Sequence, residues 1–234
     1  MTIKAILFDK DGTLLDFDAT FAPATAKVLA GLAGDDPILT QQLAAAVGFD
    51  LSTTTIGPNS VLIAGSLDNI AESLMPLMGG TDLSEAVERI DALYVKYSLE
   101  TLSPFSFLHS VLDQLDGLGM HLGVATNDSE IAAHAHLNQI GITERFCYIA
   151  GFDSGHGEKP DPGMVTAFIN QLDLNPDEVM MVGDSTHDCT AGRSAGAVTV
   201  AVTSGGGQAE DLAPHADHVI GSIEELPQLI EQPR

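Results

Sequence analysis

Hydrophobic and polar positions fall into two textures along this chain. "TIKAILF", residues 2–8, is a short and nearly continuous apolar run, with Gly12 soon after it. Such a run predicts a strand buried on both faces. From about Phe17 to Leu99 the texture changes. "ATAKVLAGLA", "TQQLAAAVG", "VLIAGSLDNIAESLMPLM" and "LSEAVERIDALYVKYSL" carry apolar residues at helical spacing, and Gly34, Pro37, Gly48, Pro58 and Gly79–Gly80 punctuate them. No strand is predicted there.

After "LSPF" a different order sets in. A helix is expected over 106–118, then the strand "MHLGVAT", a helix from about Glu130 to Gln139, and the short strand "FCYIAG". A helix over 162–172, the strand "VMMVGD", a helix over 187–195 and the strand "AVTVAV" follow, and "DHVI" and a last helix close the chain. This alternation predicts an α/β fold, a doubly wound, Rossmann-like parallel sheet with helices on both faces. The expected organisation is an α/β core at 1–15 and 100–234, with a helical domain inserted at 16–99.

Composition narrows the picture. With 234 residues, 44% of them hydrophobic, the chain can bury a sizeable core. No apolar stretch is long enough to span a bilayer, and the first residues do not read as a signal peptide. Two cysteines, Cys147 and Cys189, are too few for a disulfide framework and suit a reducing, cytoplasmic setting. The 33 acidic residues against nine basic ones give a formal charge of −24. Such a field argues against nucleic acid and anionic membranes as partners. It also makes the cations conspicuous: Lys4, Lys10, Lys27, Arg89, Lys96, Arg145, Lys159, Arg193 and Arg234.

Ligands of open parallel sheets bind beyond the carboxyl ends of the strands. Polar residues collect at those ends here. Asp9 and Asp11 follow the first strand, Thr126 and Asn127 follow "MHLGVA", and Gly183 and Asp184 follow "VMMV". Asp188 lies a helical turn beyond Asp184, and Lys159 sits in the loop "GHGEKPDPG". A calcium loop is excluded: counted from Asp9, glycine comes fourth rather than sixth, and Thr20 stands where the bidentate glutamate belongs. "TSGGGQ", residues 203–208, reads as a flexible turn rather than a phosphate loop, because no Lys-Ser/Thr follows it. His134 and His136, two apart on a predicted helix, face different ways and do not suggest a metal pair.

"FDKDGTLLDF" resembles the first motif, DxDGT, of the haloacid dehalogenase-like phosphatases. "VATND" is similar to their second motif, Lys159 before Pro160 to their third, and "VGDSTHDCTAGRSAG" to their fourth. The four occur in order and anchor the core from end to end. The helical insert resembles the family's cap domain, and the nearest likeness within the family is to phosphoglycolate phosphatase-like enzymes. Lys10 stands where a hydrophobic residue is more usual. On an extended backbone it would point away from both aspartates.

The resemblance implies a phosphoaspartate mechanism. Asp9 would be the nucleophile and Asp11 the general acid and base, both on one face of an extended segment. Mg²⁺ would be held by the Asp9 carboxylate, the Asp11 main-chain carbonyl and Asp184, with Asp188 ligating through water or standing behind. Thr126, Asn127, their backbone N–H groups where a helix begins, and Lys159 would bind the phosphate. The implied substrate is a small phosphorylated metabolite, 2-phosphoglycolate first, with a carboxylate that Lys27, Arg89 or Lys96 could greet. The alternatives are a phosphosugar phosphatase, a phosphoglucomutase-like enzyme and a catalytically silent phosphate-binding module.

Overall fold

A computed structural model describes residues 2–64, 66–79 and 82–231. Gly80, one of the expected break points, and Arg234 lie outside the described residues. The chain divides into two compact units, Met1–Asp16 with Pro104–Arg234, and Phe17–Ser103.

Strand β1 (Ala5–Phe8) opens the first unit. The second unit then supplies helices α1 (Phe17–Ala33) and α2 (Pro37–Val47), the hairpin β2 (Phe49–Asp50) and β3 (Thr55–Ile56), and helices α3 (Val61–Ala64), α4 (Leu67–Met78) and α5 (Leu83–Thr101). The chain returns to the first unit with α6 (Leu108–Gly117), β4 (His121–Ala125), α7 (Glu130–Gln139), β5 (Tyr148–Ala150) and α8 (Gly163–Leu172). It finishes with β6 (Val179–Gly183), α9 (Thr186–Ala195), β7 (Val198–Val202), α10 (Ala209–Leu212), β8 (His218–Ile220) and α11 (Leu226–Glu231).

The six core strands form one parallel sheet in the order β5-β4-β1-β6-β7-β8. Alternation along β1 sorts its side chains between two cores. Ile6 and Phe8 pack with Leu122, Val124, Met180 and Val182 against Val111, Leu112 and Leu115 of α6. Ala5 and Leu7 pack with Val179 and Met181 against Val165, Phe168 and Ile169 of α8. Every residue of β1 and of β6 is buried, as expected for interior strands of a sheet covered on both faces. Chain order reverses around β1, so the crevice for a ligand opens at its carboxyl end, between the ends of β4 and β6.

The inserted unit is built on α1 and α5. Phe21 meets Tyr94 with ring centroids 6.4 Å apart, and Thr25 Oγ1 lies 3.1 Å from the Tyr94 hydroxyl. Asp36 caps α2 by accepting the N–H groups of Ile38 and Leu39, with Pro37 at the first helical position. The hairpin corrects the expectation of a strand-free insert. Each of its strands has two residues, too few for alternation to register. Its turn is set instead by Asp50, whose side chain accepts from Ser52 and Thr53. Among the described residues no helix is long and apolar enough to cross a membrane.

Candidate active site

The tip of β1 carries the first acidic group. Asp9 donates its backbone N–H to Val182 of β6 at 2.8 Å, so the sheet fixes the residue as its side chain leaves the last rung. Its Oδ1 accepts from Lys159 Nζ at 2.5 Å. Lys159, 4% exposed, makes two further bonds, 2.6 Å to Asp188 Oδ1 and 2.8 Å to the Ala125 carbonyl. An ammonium has three donors, and all three are engaged.

The loop bearing Lys159 is held from the end of β4. Asn127 donates Nδ2 to the Lys159 carbonyl at 2.9 Å and accepts the Lys159 N–H on Oδ1 at 2.8 Å. This two-point clamp ties the Asn127 side-chain amide to the backbone of Lys159.

Beyond β6, Asp184 and Asp188 complete an acidic cluster. One carboxylate oxygen from each of Asp9, Asp184 and Asp188 can be chosen so that all lie within 4.8 Å of one another. Asp188 has both oxygens engaged, Oδ1 with Lys159 and Oδ2 with the Ser185 N–H and hydroxyl. With Ser185 it forms the capping box of α9. Asp184 accepts the Gly206 N–H at 3.0 Å on Oδ2. The "TSGGGQ" segment is therefore part of the site's wall. A Cβ on Gly205 would lie 1.9 Å from Asp184 Oδ2, and one on Gly12, whose φ is +83°, would lie 2.4 Å from the same atom. Ser204 ties the two glycine turns together by donating to the Gly12 carbonyl at 2.8 Å.

Asp11 has a separate set of partners. Lys10 Nζ lies 2.6 Å and 2.5 Å from its two carboxylate oxygens and 2.8 Å from Asp128 Oδ2. The Lys10 side chain is fully buried. This corrects the expectation that Lys10 points away from both aspartates. The strand ends at Phe8, and the Lys10 carbonyl accepts from Leu14 and Leu15 in a tight turn, so alternation no longer governs its side chain. Behind this group His136 is buried, while His134 on the same helix is exposed.

The backbone amides are also placed differently. The Thr126 N–H donates to the Ala150 carbonyl at 3.0 Å, which continues the sheet, and α7 begins only at Glu130 with Ser129 as its cap. Residues 126–127 therefore do not form a helix N-terminus. The Thr126 hydroxyl accepts the Asp128 N–H at 3.1 Å.

Burial sets the acidities. It raises the Asp9 carboxyl to about 6, against the pull of Lys159 and with a push from Asp188. It raises Asp11 to about 7, opposed by Lys10 and aided by Asp128 and Asp9. Asp184 rises to about 8 through burial and the charges of Asp9 and Asp188. Burial alone would lower Lys159, but Asp188 and Asp9 outweigh it and its pKa rises. Asp128 is half-buried, yet Lys10 holds it below the ordinary carboxylate range. Burial and the charge of Lys10 drive His136 down to about 3, so it is neutral at physiological pH.

These residues fit a divalent cation. The cluster is all hard oxygen, it holds more carboxylates than Lys159 neutralises, and the raised acidities mark charge seeking compensation. Sequence reasoning did not single out Asp128, Ser204, Ser185 or Gly205. The one available signal was Lys10 itself, a charge embedded in a buried strand end that needs counter-charges.

Residues 6–202 match the sequence model of the haloacid dehalogenase-like hydrolases. The chain is 31% identical over 232 residues to a phosphoglycolate phosphatase of Neisseria meningitidis serogroup A, covering 96% of this chain and 92% of that protein. It is 26% identical over 234 residues to the N-acetylmuramic acid 6-phosphate phosphatase of Pseudomonas aeruginosa, covering 99% and 96%. Its fold superposes on a haloacid dehalogenase-like family hydrolase of Streptococcus pneumoniae with a TM-score of 0.74 at 20% identity, over 98% of this chain and 99% of that one.

Proposed function

The chain belongs to the haloacid dehalogenase-like hydrolases and is a phosphatase, and we propose that it hydrolyses small phosphate monoesters with Mg²⁺ through a phosphoaspartate on Asp9. The observation that carries this reading is the convergence of Asp9, Asp184, Asp188 and Lys159 at one strand end.

Asp9 attacks phosphorus, and the P–O bond to the leaving group breaks. Asp11 gives its proton to the departing alkoxide. It then takes a proton from the water that attacks the acyl phosphate and frees Asp9 and inorganic phosphate. A pKa near 7 suits a group that must hold and release a proton in the same cycle. An anionic nucleophile repels a phosphate dianion by about 4 kcal/mol per charge pair at 4 Å and an effective dielectric near 20. Bound Mg²⁺ would supply the charge that offsets this repulsion, held by Asp9, the Asp11 carbonyl and Asp184, with Asp188 behind them. Lys159 would exchange one of its acceptors for a phosphoryl oxygen and keep Asp9 beside it. Thr126 would border the phosphate, and Asn127 would hold the Lys159 loop in place.

The helical unit would select the leaving group. Likeness to phosphoglycolate phosphatases supports 2-phosphoglycolate as the first substrate. A sugar phosphate is the second reading, favoured by the cations of that unit. Lys27 pairs with Glu100 at 2.6 Å, Arg89 donates to the Leu32 carbonyl at 3.2 Å, and Lys96 lies 4.7 Å from the Tyr97 ring centroid. All three have partners within the unit, which weakens the case for reading a substrate carboxylate there.

The test is turnover of p-nitrophenyl phosphate by the purified protein, followed by kinetics on a panel of phosphorylated metabolites. EDTA should abolish turnover and Mg²⁺ restore it. Undiminished turnover in EDTA would contradict the metal assignment, and sugar phosphates surpassing 2-phosphoglycolate by a wide margin would favour the second reading.

A further inference from the structure

The geometry points to Lys10 and Asp128 as a positioning pair that holds the Asp11 carboxyl group in its proton-donating orientation. The inference rests on the reading of Asp11 as general acid, and it adds two residues to that role.

Lys10 grips both oxygens of Asp11, at 2.6 Å and 2.5 Å, and so fixes the plane of the carboxyl group as well as its place. A lysine joined to its immediate neighbour by a flexible stem could not do this alone. Asp128 supplies the second anchor, at 2.8 Å from the same ammonium. Asp128 is itself fixed, because its N–H donates to the Thr126 hydroxyl at the end of β4. The chain of contacts therefore runs from the sheet, through Asp128 and Lys10, to Asp11. Its members are interior: the Lys10 side chain is fully buried, and those of Asp11 and Asp128 are 17% and 26% exposed. A buried ammonium between two carboxylates is costly to dehydrate, and a structural core would be served as well by an apolar residue. Its presence beside the acid gives it a use.

In the reaction the Asp9 oxygen bonds to phosphorus as the ester P–O bond breaks; the leaving oxygen keeps that bond's electron pair and with it takes the proton of Asp11, whose O–H pair stays on the carboxylate. This transfer matters most when the leaving alkoxide is strongly basic. It matters little when the leaving group is a nitrophenolate. A residue that aims Asp11 must therefore affect alkyl phosphates more than aryl phosphates, whereas a residue needed only for folding would affect both equally.

The experiment measures kcat/KM of the full-length enzyme with Mg²⁺, on glycerol phosphate and on p-nitrophenyl phosphate. Lys10→Met should lower the alkyl value by roughly 100-fold, and the ratio of alkyl to aryl values by at least about tenfold, within the range of a general acid. Asp128→Asn, which keeps shape and removes one anchor, should lower the ratio in the same direction by a smaller factor. It serves as the deciding variant if Lys10→Met does not fold. In an Asp11→Asn background, Lys10→Met should change the ratio no further. Equal losses on both substrates in Lys10→Met and Asp128→Asn, with Asp11→Asn still shifting the ratio, would overturn the positioning role alone. A ratio untouched by Asp11→Asn would overturn the acid assignment and this inference with it.

Discussion

Asp9 and Asp11 stand two residues apart, and each meets a buried lysine that also binds a second aspartate. The resemblance ends with the charge count. Around Lys159 gather Asp9, Asp184 and Asp188, so one cation faces three carboxylates. Around Lys10 gather Asp11 and Asp128. With these named groups ionised, the Asp9 side keeps two negative charges over and the Asp11 side one. On the proposed reading a dication would join the first side and a shuttling proton the second. The same device, an ammonium between carboxylates, would then serve a metal-bound nucleophile at one position and an acid at the other.

The supports differ as well. Lys159 is delivered by a loop 150 residues from Asp9 and clamped there by Asn127. Lys10 adjoins its partner in sequence and draws its distant anchor from Asp128. Removing the two lysines should therefore break different things. Lys159→Met should lower kcat about 100- to 1,000-fold on alkyl and aryl phosphates alike, as loss of a transition-state charge does. A Lys159→Met enzyme that kept its rate on either substrate would erase the contrast with Lys10.

A smaller effect sharpens the same contrast. Without metal, Asp11 and Asp184 hold their protons to about 7 and about 8 in the folded protein, against about 3.9 in an unfolded chain. The folded state then binds more protons than the unfolded state, so stability falls as pH rises through those values. His136, depressed to about 3, works the other way, but its contribution is complete above about 6.5. In EDTA the melting temperature should decline between about pH 6.5 and about pH 8.5, and Asp184→Asn should flatten the decline. Mg²⁺ binds the ionised carboxylates, so its stabilisation should grow with pH over that window. A melting temperature that climbed with pH in EDTA would contradict the raised acidities.

Much of this molecule could be read from its residues. Apolar runs and helical spacing predicted the parallel α/β sheet, and β6 and α9 fell close to their expected positions. The strand-end rule placed Asp9 and Asp184 at one rim. The failures at the site share one cause, the end of regular structure, while the hairpin of the insert was too short to register as strands. Alternation placed Lys10 wrongly because the strand had already stopped at Phe8. The amides of 126–127 were assigned to a helix that begins at Glu130, while the sheet claims the Thr126 N–H. "TSGGGQ" read as slack chain, yet its missing side chains are what let it close on Asp184. Where the backbone leaves its period, side-chain direction depends on tertiary partners that spacing does not encode.

On the proposed reading Asp9 carries the phosphoryl group during turnover. Acid quenching during steady-state turnover, then borohydride reduction and peptide mass spectrometry, reads this directly, because reduction converts an aspartyl phosphate to homoserine. Homoserine should appear at position 9, depend on substrate and Mg²⁺, and be absent from Asp9→Asn, which should also be inactive. Homoserine at another aspartate, or an Asp9→Asn enzyme that still turns over, would contradict it.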